Sequence, residues 1–206
     1  MLQLADLRRR PQDPSGSCRR RTGHCRRLRR LTASRLPPGF HIRPFKEADI
    51  PLLREIEARA GALFADHGYP QVASAPSPLD GFVSLVAGND TLIAAGADSR
   101  PLGYAVAGQV GAIYWLKELG VDPDVMGQGI GTALIEATAE TGRSAGFRQL
   151  GLSTFRSVPF NAPYYARRGF RIVDSETAPE RIREQVANET PEGVSIADRV
   201  LMIRDV

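Results

Sequence analysis

The segment that most limits how this chain folds is Val121-Asp122-Pro123-Asp124-Val125-Met126-Gly127-Gln128-Gly129-Ile130-Gly131-Thr132. An apolar strand passes through a bend with glycine at alternate positions and runs directly into a helix. Glycines allow positive φ and let the backbone come close to a ligand. The helix start then presents unpaired N–H groups and a partial positive charge, which together suit a phosphate or pyrophosphate. The bend is not a P-loop, because no Lys-Ser/Thr follows the last glycine. Its Gly-x-Gly-x-Gly spacing is not that of a dinucleotide fingerprint either. Taken alone, the same residues also describe a structural turn and cap.

The flanking pattern is mixed α/β. His41–Phe45 alternates like a short edge strand, where Pro44 is tolerated. Asp49 and Pro51 signal a helix start, and Leu53, Ile56, Ala60 and Phe64 fall on one helical face. Gly68-Tyr69-Pro70 ends that helix, a loop is expected over 71–79, and a short helix over Leu79–Val86. Thr91–Ala95, Leu102–Gln109 and Ala112–Val121 read as three strands of an antiparallel meander. The helix after the bend carries Ile130, Ala133, Leu134 and Ala137 at helical spacing and closes at Gly146. Strands at Gln149–Thr154, Arg171–Val173 and Arg199–Ile203 then alternate with helices near Pro163–Arg167 and Pro179–Val186.

Charge separates the first 38 residues from the rest. They hold eleven Arg and two acids, a net +9 within a chain of net +4, which leaves −5 for the remainder. A nucleic-acid-binding class does not follow from the overall pI; an arginine-rich arm for nucleic acid is the minor reading. Residues 1–38 read as a disordered tail or an artefact of the start site, and 40–206 as the folded domain. The two cysteines, Cys18 and Cys25, lie in that first segment beside His24. Their spacing does not suit a zinc site, and no metal is expected. The cysteine-free body fits a reducing cytosol, so a cytoplasmic location is expected. No apolar run approaches the roughly 20 residues of a membrane span.

The bend resembles motif A of the GCN5-related N-acetyltransferases (GNAT), whose loop has the form Arg/Gln-x-x-Gly-x-Gly/Ala. Here the pattern falls on Met126-Gly127-Gln128-Gly129-Ile130-Gly131, with Met126 departing at the first position. Val158-Pro159-Phe160-Asn161-Ala162-Pro163-Tyr164-Tyr165-Ala166-Arg167-Arg168-Gly169-Phe170 resembles the family's motif B. The resemblance covers about residues 40–206. It implies a GNAT fold: a mostly antiparallel twisted sheet of about seven strands, splayed between strands 4 and 5 and flanked by helices. It also implies acetyl-CoA as co-substrate and a primary amine, small or peptidic, as acceptor, attacked directly in a ternary complex. Members are often dimers, and a homodimer is left open.

By that resemblance the pyrophosphate lies on Met126, Gly127, Gln128, Gly129, Ile130, Gly131 and Thr132. The pantetheine arm lies against free backbone of Leu119 and Val121. Asn161 either bonds that arm or caps the short helix. Tyr165, four residues before Gly169, takes the place of the general acid, a phenol that is protonated at neutral pH. Glu118 is the candidate base, since a buried carboxylate has a raised pKa. It is equally a rim carboxylate that attracts cationic amines. Ser153 stands where some relatives carry a Glu. Glu57 and His67 are outlying candidates for the base, Glu57 also for contact with the acceptor. Tyr114 and Trp115 are candidate acceptor contacts, but alternation puts them on opposite faces unless a bulge intervenes. Two other readings stand beside the enzyme: a non-catalytic acyl-CoA sensor, and a protein N-terminal acetyltransferase.

Overall fold

The computed structural model describes residues 38–74 and 77–206. The arginine-rich segment, with Cys18, His24 and Cys25, lies outside them but for Pro38. Among the described residues seven strands form one sheet: β1 (His41–Pro44), β2 (Asp90–Ala95), β3 (Pro101–Val110), β4 (Ile113–Val121), β5 (Gln149–Phe155), β6 (Arg171–Val173) and β7 (Arg199–Asp205). Their spatial order is β1-β2-β3-β4-β5-β7-β6. Every pairing is antiparallel except β4 with β5. β1 is an edge strand, as Pro44 requires.

The helices are α1 (Ile50–Ala62), α2 (Pro70–Ser74), α3 (Leu79–Gly88), α4 (Ile130–Ser144), α5 (Ala162–Ala166) and α6 (Glu180–Asn188). Both sheet faces are covered, so strand residues alternate between two cores. Leu92, Ala94 and Ala105 pack with Ile130, Leu134 and Ile135 of α4. On the other face Ile93, Tyr104 and Val106 pack with Leu53 and Ile56 of α1 and Phe82 and Val86 of α3. Trp115 and Leu201 meet Ile182 and Val186 of α6.

Two local expectations are corrected. The stretch after Pro70 is not all loop. Pro70 begins α2, a position where its missing N–H is no loss, and Ser74 donates its hydroxyl back to the Pro70 carbonyl. Asp49 precedes α1 but makes no side-chain cap to it. Its carboxylate instead takes two 2.7 Å bonds from Arg43 and one of 2.8 Å from the Lys46 N–H.

Two features of β4 position everything that follows. Its pairing with β5 stops after Tyr114–Leu150 and Trp115–Gly151, and from Leu116 onward the two strands diverge. A bulge against β3 also leaves Lys117 without an opposite number, since Val106 faces Glu118 and Ala107 faces Leu116. Side chains therefore change faces there. Tyr114 and Leu116 point toward α4, and so do Leu119 and Val121. Glu118 and Gly120 turn to the α1 face, beside Tyr104.

Gly120 is required by that packing: a Cβ there would lie 2.5 Å from Cε1 and 2.9 Å from Cζ of the fully buried Tyr104. Gly120→Ala should destabilise the fold by about 1–3 kcal/mol through overpacking. Gly81, inside α3 with nothing within 4 Å of an added Cβ, should gain about 0.5 kcal/mol or more when changed to Ala. Urea unfolding of the two variants checks both signs, and a Gly120→Ala chain as stable as the parent would contradict the packing argument.

Candidate functional site

The bend between β4 and α4 is built by three different uses of glycine and acid. Asp122 accepts from the Asp124 N–H and starts a single 3-10 turn over Pro123–Val125. Gly127 and Gly129 have φ of +80° and +87°, where a side chain is strained. Gly131 is ordinary helix; it is small because a Cβ would sit 2.5 Å from the Tyr164 hydroxyl. Among the described residues no side chain caps α4 at Gly129, so its first N–H groups face outward. Arg59 of α1 holds the bend from behind, with 2.7 and 2.8 Å ion pairs to Asp122 and Asp124.

A cavity of about 410 Å³ opens over this bend. Leu119, Val121, Met126, Gly127, Gly129, Ile130, Gly131 and Thr132 line it, together with Asn161, Tyr165 and Arg168. Gln128 is exposed and is not among the lining residues. Arg168 was not foreseen from the sequence. Its Nε and Nη2 donate to the Thr132 hydroxyl at 2.9 and 2.6 Å, Nη1 donates to the Tyr164 carbonyl, and the guanidinium stacks 3.3 Å from the Tyr164 ring centre. The pair Arg167-Arg168 was visible, but only the i, i+4 relation to Tyr164 through α5 selects the second.

A second cavity, about 670 Å³, lies on the α1 side of the splayed strands. Its walls carry Glu57, Glu118, Glu189, Lys117 and Arg199. The two cavities share Ala60, Phe64, Leu119, Asn161 and Tyr165, so they meet at those residues.

At the junction Asn161 does not cap α5. Its amide nitrogen donates 2.8 Å to the Thr154 hydroxyl, while Oδ1 is buried with no partner among the described residues. A buried acceptor left unmade is costly, so the site is short of one N–H donor. Beside it the Tyr165 hydroxyl is buried, and burial raises its pKa well above the usual phenol value. It is therefore a proton donor throughout the neutral range.

Glu118 accepts a short hydrogen bond from Tyr104. Burial nevertheless pushes its pKa up to about 7, with the charge of Glu57 acting in the same direction. Glu57 itself accepts from Arg54 and from the Ser77 N–H at 3.2 Å. Glu189, also unforeseen, accepts from the Trp115 indole at 2.8 Å and the Gln185 amide at 2.7 Å, and burial lifts it to about 7.

Tyr114 and Trp115, the candidate acceptor contacts, are both buried in the core. Neither lines either of these two cavities. Tyr114 is buried under α4 and donates to Asp90, and Trp115 is fully buried against α6. The bulge in β4 lies beyond both, at Lys117, and leaves their alternation unchanged. His67 is exposed and rests edge-on against Phe160, outside both cavities.

Residues 88–172 match the family model described as an acetyltransferase (GNAT) domain. Similar solved structures include the ribosomal-protein-S18-alanine N-acetyltransferase from Escherichia coli, 21% identical over 81% of this chain and 94% of that one, with a TM-score of 0.58. A GCN5-related N-acetyltransferase from Rhodopseudomonas palustris is 23% identical over 83% and 98%, with a TM-score of 0.60. The PaiA N-acetyltransferase from Thermoplasma acidophilum, solved in complex with coenzyme A, is 19% identical over 81% and 99%, with a TM-score of 0.57.

The two raised carboxyls have a measurable consequence. Each keeps its proton longer in the folded state than at its ordinary pKa of 4.5. That contribution to stability is complete below pH 4.5 and is lost as pH rises through 7. Both groups retain some solvent access, so the loss is discounted to about 1–3 kcal/mol each. The double variant Glu118→Gln/Glu189→Gln should gain stability relative to the parent between pH 5 and pH 8. Thermal melts across that range check this; a constant difference would contradict it.

Proposed function

We propose that this chain is a GNAT acetyltransferase, as its similarity to that domain model and to solved N-acetyltransferases supports, and that it transfers an acetyl group from acetyl-CoA to a primary amine, with residues 40–206 as the catalytic unit. The observation that carries the reading is the convergence of two cavities on Asn161, Leu119 and Tyr165, one ending in the glycine bend and the other at Glu118. Acetyl-CoA would supply an acyl carbon activated as a thioester and a sulfur leaving group.

This chain's own residues fit that donor. The amides from Gly127 to Thr132 face the diphosphate position at the start of α4, and the helix dipole favours negative charge there. Arg168 adds the positive charge that Met126 does not. The stretch of β4 from Leu116 to Val121, without a partner on the β5 side, offers backbone groups to the pantetheine arm in the manner of an added strand. Asn161 Oδ1, buried and unpartnered, accepts from an amide N–H of that arm.

On the other side Glu118 removes a proton from the incoming ammonium, directly or through water. A base with a pKa near 7 is half ionised at neutral pH and still strong enough to accept a proton. Tyr165, held protonated, donates to the departing sulfur.

The rate of CoA release tests these roles. Below pH 7 kcat/KM should fall about tenfold per pH unit, because Glu118 must be ionised to act. Glu118→Gln should remove that dependence and lower kcat about 10²–10⁴-fold, with Tyr165→Phe in the same range. Acetyl-CoA should give heat on titration with all three chains. Tight binding without turnover of any amine would favour the sensor, and no binding would overturn the reading.

A further inference from the structure

Arg199 is a charged group in the wider cavity with a buried, unpartnered guanidinium nitrogen and no ion pair among the described residues. As the first residue of β7 it pairs with Phe155 of β5, so its side chain lies under the cavity beside Ser153. Its Nη2 donates to the Ser153 hydroxyl at 3.1 Å, and its guanidinium lies 4.8 Å from the Phe155 ring centre. Nε is buried and has no partner, and no carboxylate lies within ion-pair distance among the described residues. Burial lowers its pKa, and the field of Glu189 acts against that shift. Buried charges are ordinarily paired, and a planar guanidinium is matched best by a carboxylate. Arg54 has Glu57 and Arg59 has Asp122 and Asp124, whereas Lys117, also in the cavity wall, has no ion pair among the described residues but carries no buried unpartnered nitrogen.

The same cavity holds the opposite sign. Glu118 and Glu189 face it, and the charge of Glu189 is felt by both Glu118 and Arg199. Arg199 also acts on Tyr165, favouring its ionised form. The anion-binding group therefore lies close to the proton donor. A ligand that satisfied both would carry an anionic group and an amine on one small molecule held in this cavity. A polyamine would bring a second cation toward Arg199, and the N-terminus of a peptide has its α-carboxyl replaced by a neutral amide.

Resting on the acetyl-transfer reading, we propose that the acceptor is a free α-amino acid, whose carboxylate binds Arg199 while its α-amine lies between Glu118 and Tyr165. The ammonium first gives one proton to Glu118; the freed amine nitrogen bonds the acyl carbon as the C–S bond breaks, the sulfur takes the Tyr165 proton, and the second proton shed by nitrogen restores the phenol directly or through water.

The test uses the full chain with acetyl-CoA and the L-amino acids, each beside its own α-carboxamide and its decarboxylated amine. CoA release should favour at least one amino acid over both of its derivatives by roughly 10- to 100-fold in kcat/KM, the scale of one charge-assisted hydrogen bond. The difference should appear mainly in KM. Arg199→Gln should collapse the acid-to-amide ratio toward one, and Arg199→Lys should restore part of it; a purely structural defect would lower acid and amide together. If Arg199→Gln does not fold, the ratio in the parent chain decides alone. Equal or better use of amides, amines or diamines overturns the proposal, as does acceptance of no amino acid, or a ratio that survives Arg199→Gln. Turnover restricted to carboxyl-free amines would leave acetyl transfer standing and remove only this inference. Absence of heat with acetyl-CoA would remove both.

Discussion

Between Ala107 and Val106, β3 advances by one residue while β4 advances by two, and the side chains of β4 change faces at Lys117 in consequence. With regular alternation Glu118 would share the α4 face with Tyr114 and Leu116, inside an apolar core where a carboxylate has no partner. The extra residue turns Glu118 toward α1 and under Tyr104, and it turns Leu119 and Val121 toward α4. The same stretch has already parted from β5 after Trp115. One irregularity thus aims the carboxylate into one cavity and the following apolar residues against the helix that bounds the other. Bulges commonly re-aim a side chain in this way.

Those parts of the site whose backbone is locally demanding were legible in the sequence. Gly127 and Gly129 sit at positive φ, and only glycine reaches that conformation without strain. Asn161-Ala162-Pro163 starts a helix that Gly169 follows with another positive φ. The meander, α4 and its closing Gly146 were readable for the same reason, since turn chemistry and helical spacing are properties of short stretches. The acceptor side is different. Glu118 could be named from its nearness to Gly120, but Tyr104, Glu189 and Arg199 come from three further elements, brought together only by the order of the strands. A bulge leaves no mark in one sequence, so the pair Tyr114-Trp115 looked available when both are core. In the sequence Arg199 is only the first residue of the last strand.

The electrostatics of the wider cavity follow from how each charge is compensated. Glu57 has Arg54; Glu189 has two neutral donors; Glu118 has one phenol. Neutral donors relieve a buried carboxylate less than a cation does, so burial prevails and both groups rise to about 7. Had Lys117 or Arg199 closed on either of them, the carboxylate would have stayed ionised and a poor base. The fold keeps the cations and anions of this cavity apart, at a cost to its own stability, and separated charges of both signs are what a zwitterion can join.

The link between the two halves of the site is α1. Its Ala60, and Phe64 just beyond it, belong to both cavities. Its Arg59 reaches the other way, to Asp122 and Asp124 at the root of the glycine bend. Arg59 is nearly half exposed, at 45% for its side chain, so these pairs contribute little energy. Their effect is geometric. Asp122 already shapes the 3-10 turn by accepting from Asp124 N–H, and Arg59 fixes that carboxylate relative to the helix carrying Glu57. A shift of α1 would therefore move the wall of the acceptor cavity and the approach to the phosphate-binding amides together. Tyr165 on α5 and Asn161 just before it, between the two cavities, are where the two displacements would be felt at once.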